Sequence, residues 1–183
     1  YAGVRSHIAL IGGVLGIREY DPELKNALEI ARMQKISVSA SFFKDPLPQN
    51  EHTVTISMEQ ETGVVRRVSG ISVGGGSISI TGIDDFEVDL ISTERYLFVW
   101  SDSNISEELP KMMPEETTVK KDCKNGKYLF YMGVPMKMDE AVGERIKNLP
   151  GVTKVLFTEP FLGFGYQPYQ PLFRTFEDLM RLS

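Results

Sequence analysis

Three consecutive glycines, Gly74, Gly75 and Gly76, stand between two strongly β-forming runs, Gly70-Ile71-Ser72-Val73 and Ser77-Ile78-Ser79-Ile80. Glycine weakens a strand interior, so three in a row must serve backbone geometry or close approach. Successive bare amides can form a nest for a carboxylate or phosphate. Phosphate loops, however, run from strand through glycines into a helix and add a lysine. Here the chain continues as a strand, which excludes a P-loop and a dinucleotide fingerprint. A bulge or tight corner between strands is expected, with a carboxylate as the ligand class the amides could take.

The flanking periodicities define the rest of the first half. Ser6 is placed to cap a short apolar helix from His7 to Leu15, with Gly12 and Gly13 permitting close packing. Asp21-Pro22-Glu23 combines a capping carboxylate, a first-turn proline and a first-turn acid, a helix start. Leu24, Ala27, Leu28, Ile30 and Ala31 then form one apolar stripe to about residue 34. From there the period falls from 3.6 to 2. Ile36, Val38, Ala40 and Phe42 alternate with serines and predict a strand ended by Asp45-Pro46-Leu47-Pro48. Val54, Ile56 and Met58 predict another, closed by a turn at Glu61-Thr62-Gly63. Segments 64–73, 77–81 and 86–91 supply three more.

A second rhythm begins at Arg95: strand 96–100, short helix 104–113, strands 117–123 and 127–133, a helix from Asp139, and a last strand 152–158. Asn125-Gly126 favours a tight primed turn in the hairpin, and Pro150-Gly151 stops the second helix. The order β-α-β-β-α-β is the ferredoxin-like pattern. The expected fold class is therefore α+β, with domains at 1–92 and 93–159 and a tail, 160–183. In that tail Phe173, Phe176, Leu179, Met180 and Leu182 mark a short amphipathic helix suited to core or dimer contact.

Composition limits the chemistry. A net charge of −5 without a basic block gives no footprint for nucleic acid. No apolar run approaches the roughly 18 residues of a membrane helix. Cys123 is the only cysteine, so neither an internal disulfide framework nor a self-contained iron–sulfur or zinc site is expected, and a reducing, cytoplasmic setting follows. Its neighbours Lys120, Lys121 and Lys124 would favour a thiolate, but such a cysteine more often simply occupies a strand. His52 has no partner at metal-ligand spacing. His7, with Arg5 and Ser6, could form an anion-facing group at a helix start, although such a histidine is more often a surface or half-buried residue without a task. The acidic pairs Asp84-Asp85, Glu107-Glu108 and Glu115-Glu116 read as solvated faces, and no catalytic residue emerges. The start, Tyr1-Ala2-Gly3-Val4, does not read as a signal peptide, and the missing initiator Met is read as trimming or a cut boundary.

Residues 9–90 resemble the beta chain of the bacterial iron–sulfur-dependent L-serine dehydratase. The resemblance rests on Ala9-Leu10-Ile11-Gly12-Gly13-Val14-Leu15-Gly16, Ala27-Leu28-Glu29-Ile30-Ala31, His52-Thr53-Val54 and the run from Gly70 through Asp84-Asp85-Phe86-Glu87-Val88. The second half looks like an ACT regulatory domain, including Asn148-Leu149-Pro150-Gly151-Val152. This implies a mixed-sheet, allosteric-substrate-binding-like domain followed by an ACT-like one. It also implies L-serine or a similar amino acid as ligand, a homodimer, and a partner alpha chain. The cluster of the family belongs to that alpha chain, where serine is converted to pyruvate and ammonia, so no cofactor is expected in this chain.

The departures fall on polar positions. The family's glycine-histidine-glycine-threonine-aspartate reads Gly3-Val4-Arg5-Ser6-His7; its histidine and aspartate are gone, and Ser6 is the only conservative replacement. The family's histidine-proline-asparagine-threonine reads Asn50-Glu51-His52-Thr53, keeping only Thr53. The loop 101–105 lacks the glycine that lets backbone approach an amino acid. The residues left as ligand-binding candidates are Gly74, Gly75, Gly76, Ser6, His7 and Thr53. The resulting expectation is a regulatory or assembly module without a complete active site. A genuine beta subunit of a serine ammonia-lyase and a purely structural dimerisation protein are the alternatives.

Overall fold

The computed structural model describes residues 6–18, 20–41, 53–74, 77–91 and 94–158. The fold is α+β, and the described residues form few helices and two four-stranded antiparallel sheets. Two compact units divide near residue 49.

In the first unit, α1 (Ser6–Val14) precedes a 3-10 turn (Pro22–Asn26) and α2 (Ala27–Met33). Asp21 caps as its sequence demands, its carboxylate accepting the Glu23 amide at 2.8 Å. Gly12 is buried because a Cβ there would overlap Leu24, whereas Gly13 faces open space. The apolar stripe is narrower than its pattern: Ala27 and Ala31 are buried, but Leu28 is exposed. The 3-10 turn is the reason. At three residues per turn Leu24 and Ala27 eclipse, and Leu28 then lies about 100° away from them. Residues 36–41 are exposed and irregular rather than a strand, since alternation without a neighbouring ladder leaves backbone groups unpaired. Phe42 and the Asp45–Pro48 breaker lie outside the described residues.

The second unit holds both sheets. The first contains β1 (Thr53–Glu59), β2 (Val65–Gly74), β3 (Ser77–Ile83) and β4 (Phe86–Ile91) in sequential order. Short connections join successive strands, so among the described residues every pairing is antiparallel and this sheet is not the mixed one expected from the resemblance. Register places Val54, Ile56, Val68, Ile80, Ile83, Phe86, Val88 and Leu90 on one face and Thr53, Thr55, Ser69 and Ser79 on the other. Three register shifts adjoin Gly70, Gly74 and Gly82, so the glycine-rich stretch is a set of bulges.

The second sheet contains β5 (Arg95–Ser101), β6 (Lys120–Lys124), β7 (Lys127–Val134) and β8 (Val152–Phe157), ordered β6-β7-β5-β8 and antiparallel throughout. Its hairpin turn has positive φ at both Asn125 and Gly126, as a primed turn requires. The crossover from β5 to β6 forms only a 3-10 segment, Leu109–Met112, in place of the helix expected over 104–113. Pro110 and Pro114 explain the brevity, because each removes an amide a longer helix would use. The other crossover carries α3 (Ala141–Lys147), which buries Ile146.

Strand β5 is the heart of this unit. Its run Tyr96-Leu97-Phe98-Val99-Trp100 does not alternate because both faces are covered. Leu97 and Val99 pack with Phe130, Met132, Leu109 and Ile146 beneath the crossovers. Tyr96 and Phe98 pack with Leu129, Tyr131 and the β4 residues Phe86, Val88 and Leu90. Burying a side chain such as Phe98 contributes roughly 2–3 kcal/mol. The free edge of β4 is also engaged: the Glu87 amide donates to Asp122 at 2.8 Å, and Lys120 and Lys124 pair with Asp89 and Glu87. The tail stripe from Phe173 to Leu182 lies outside the described residues.

Candidate functional site

The glycine corner closes the β2–β3 hairpin. Gly74 pairs with Ser77, with a register shift between Ser72 and Gly74, while Gly75 and Gly76 lie outside the described residues. Gly74 has φ +89° and open space where a Cβ would stand. Positive φ, not crowding, therefore requires glycine there. Thr53 opens β1 opposite Ile71 and is half-buried, three residues short of Gly74 along the neighbouring strand. The two lie at the same end of the sheet, about 10 Å apart along the strand direction. Ser6 and His7 begin α1 in the first unit and are exposed.

A second constellation surrounds the end of β5, in the loop where a glycine was missing. Ser101 is buried, and its Oγ accepts the Ser103 amide at 3.0 Å. The Asp102 amide donates to the Gly151 carbonyl at 2.8 Å. Gly151 has φ +83°, and a Cβ on it would collide with Ser103. The close approach absent from loop 101–105 is thus supplied by a glycine from the α3–β8 connection. The sequence marks Pro150-Gly151 as a helix stop and as part of the ACT-like resemblance, and the serines at 101 and 103 are the local signal for this contact.

Arg95, at the head of β5, is the third node. Its buried guanidinium donates through Nη1 to the carbonyls of Met136 and Met138 at 3.1 and 3.3 Å. Nη2 bonds the exposed Glu140 carboxylate at 3.0 Å, and the Phe157 ring lies 4.9 Å beneath the guanidinium carbon. These contacts hold loop 135–140 against the sheet. Arg95 Nε and Trp100 Nε1 are buried without an acceptor among the described residues. Arginine at the boundary of an apolar strand was the sequence signal for this node.

The electrostatics separate structural from chemical roles. Burial pushes the Tyr96 hydroxyl up to about 12; the Ile91 amide, donating to Oη at 3.0 Å, opposes this, while nearby Glu94 and Asp89 reinforce it. Asp84, read as part of a solvated pair, instead fastens the β3–β4 turn. Its carboxylate accepts the Arg67 amide at 3.0 Å and bonds the Arg66 guanidinium at 2.6 Å. Cys123 is exposed on β6. Among the described residues no group of three or more His, Cys, Asp or Glu side chains is placed to hold a metal ion, and no helix is long and apolar enough to cross a membrane.

No protein-family model matches the chain. It is similar to the probable L-serine dehydratase beta chain of Bacillus subtilis strain 168, 24% identical over 164 residues. That similarity spans 85% of this chain and 73% of the relative. The similarity supports the beta-chain-like relationship read from the sequence.

Proposed function

We propose that the chain is a regulatory or assembly module related to the L-serine dehydratase beta chain, without a complete active site of its own. The observation that supports this reading is the breadth of the similarity, 85% of the chain, taken with the glycine and apolar framework on which the sequence resemblance rests. Around that framework only Ser6 and Thr53 keep the polar character the resemblance calls for. In this reading residues 1–92 and 93–159 act as two functional domains, the second ferredoxin-like and ACT-like. Its strand order, β6-β7-β5-β8, is what a β-α-β-β-α-β chain produces when each crossover skips one strand.

The proposed ligand is L-serine or a similar small amino acid. Its carboxylate would meet the backbone at Gly74, Gly75 and Gly76, with Thr53 at the same sheet end. Ser6 and His7 form a separate anion-facing group. The module works in the cytoplasm as a homodimer beside an alpha chain, and an iron–sulfur cluster would belong to that partner. Titration calorimetry of the chain with L-serine should give saturable heat that weakens in Gly74→Val. A flat titration at millimolar serine would remove the effector from the proposal.

A second reading, a working beta subunit of a serine ammonia-lyase, is favoured by the name of the relative. Co-expression with a cluster-bearing alpha chain and a pyruvate assay separates the two. Pyruvate formation that depends on this chain would establish the second reading.

A further inference from the structure

We propose that the cleft between the β5–β6 crossover and α3 binds a small amphipathic anion, an apolar body carrying a carboxylate or phosphate. The cleft is a shallow depression, widely open to solvent, with a volume of about 510 Å³. Lys111 from the 3-10 segment, Lys137 from the β7–α3 loop and Arg145 from α3 line it together with Met112, Met138 and Val142. Its one lining carboxylate, Asp139, accepts the Ala141 amide at 2.9 Å.

Charge selects the ligand. Six basic residues of the described chain have carboxylate partners: Arg66, Arg67, Arg95, Lys120, Lys124 and Lys147. None of the three cleft cations makes an ion pair among the described residues. Three cations against the single carboxylate of Asp139 leave this concavity with a net positive charge, in a chain of net charge −5, and that local field favours an anion. The floor selects further. Thioether and aliphatic groups adapt to an apolar body and offer nothing to bare phosphate.

The walls are fixed before any ligand arrives. Leu109 and Met113 root the crossover in the core, and Ile146 roots α3. Arg95 holds the carbonyls of Met136 and Met138, the two neighbours of Lys137. A preorganised cleft loses less conformational entropy on binding than one assembled by its ligand.

The test uses the full chain with methyl-13C methionine. Its eight methionines give resolved reporters inside the cleft (Met112, Met113, Met138) and outside it (Met33, Met58). Hexanoate and hexyl phosphate are titrated separately, to distinguish the two anionic heads, with hexylammonium as the cationic counterpart. Saturable shifts confined to the cleft methyls, with either anion and not with hexylammonium, are expected. K137Q/R145Q should weaken anion binding at least about tenfold with the unliganded methyl spectrum preserved. If the double variant perturbs that spectrum, K111Q, at the opposite wall, is used and should weaken binding in the same direction. Equal shifts with hexylammonium, shifts at Met33 and Met58 on the same isotherm, unchanged affinity in the variants, or no saturation by about 10 mM would overturn the proposal.

Discussion

Gly151 and Gly126 share a positive φ but answer to different constraints. At Gly126 a Cβ would meet open space, so only backbone conformation requires glycine. At Gly151 the Cβ would also collide with Ser103. Gly126→Ala should therefore cost about 1 kcal/mol in urea unfolding, and Gly151→Ala roughly twice that or more. Ser103→Gly should recover part of the Gly151→Ala loss; equal losses at the two glycines would show that the collision relaxes freely. Tyr96 gives a prediction in pH. Its folded value of about 12 lies above the ordinary value of 10.0, so the unfolded chain loses the proton first as pH rises. Its contribution is intact below pH 10 and declines between about 10 and 12, by about 1.4 kcal/mol per pH unit. Tyr96→Phe should flatten stability over that window in alkaline denaturation, at the expense of the acceptor for the Ile91 amide. An unchanged slope would place the proton linkage elsewhere.

Elements are decided by what surrounds them. The phase of α2 set by the preceding 3-10 turn predicts that Leu28→Ala stays within about 0.5 kcal/mol, whereas Ala31→Leu overpacks and costs about 1–3 kcal/mol. Hydrogen exchange across 27–33 reads both, and a loss at Leu28 larger than at Ala31 would contradict that phase. Loop 135–140 has the opposite character, a segment without regular structure fixed by one side chain. Arg95→Met removes donors from the Met136 and Met138 carbonyls, with an expected loss of about 3 kcal/mol and faster exchange confined first to that loop. Uniform acceleration across the sheet would instead make Arg95 a core element. The segment 36–41 is instructive at this scale. Its apolar-serine alternation satisfies every local criterion for a strand, and it is not one, because a strand is defined by hydrogen bonds to a neighbour that local sequence does not contain.

At the scale of the whole molecule, β5 joins the second unit. Phe98 belongs to the same buried cluster as Phe86, Val88 and Leu90, so β4 and the second sheet share a core across the connection at residues 92–93. Phe98→Ala should cost about 3–5 kcal/mol and lower the stability of both sheets in one transition. Emission from Trp100, the single tryptophan, and hydrogen exchange in β3 and β4 should change together. Separate transitions would return 1–92 and 93–159 to independent folding.

The sequence by itself determined the strands whose pattern depends on neighbours in the chain. These are the alternating β1 and β4, the Asn125-Gly126 hairpin, the uninterrupted apolar β5 and the Asp21 cap. It also identified the glycine corner, because a residue needing positive φ announces itself by identity. Only the tertiary structure decided the rest. Long-range contacts brought Gly151 against Ser103, placed the Arg95 guanidinium on carbonyls more than forty residues away, and gathered Lys111, Lys137 and Arg145 around one cleft. The physical reason is the same in each case. Local pattern records the backbone's preferences and the side of an element that seeks cover. Which groups meet under that cover depends on burial and hydrogen bonding between segments whose spacing along the chain carries no trace of their encounter.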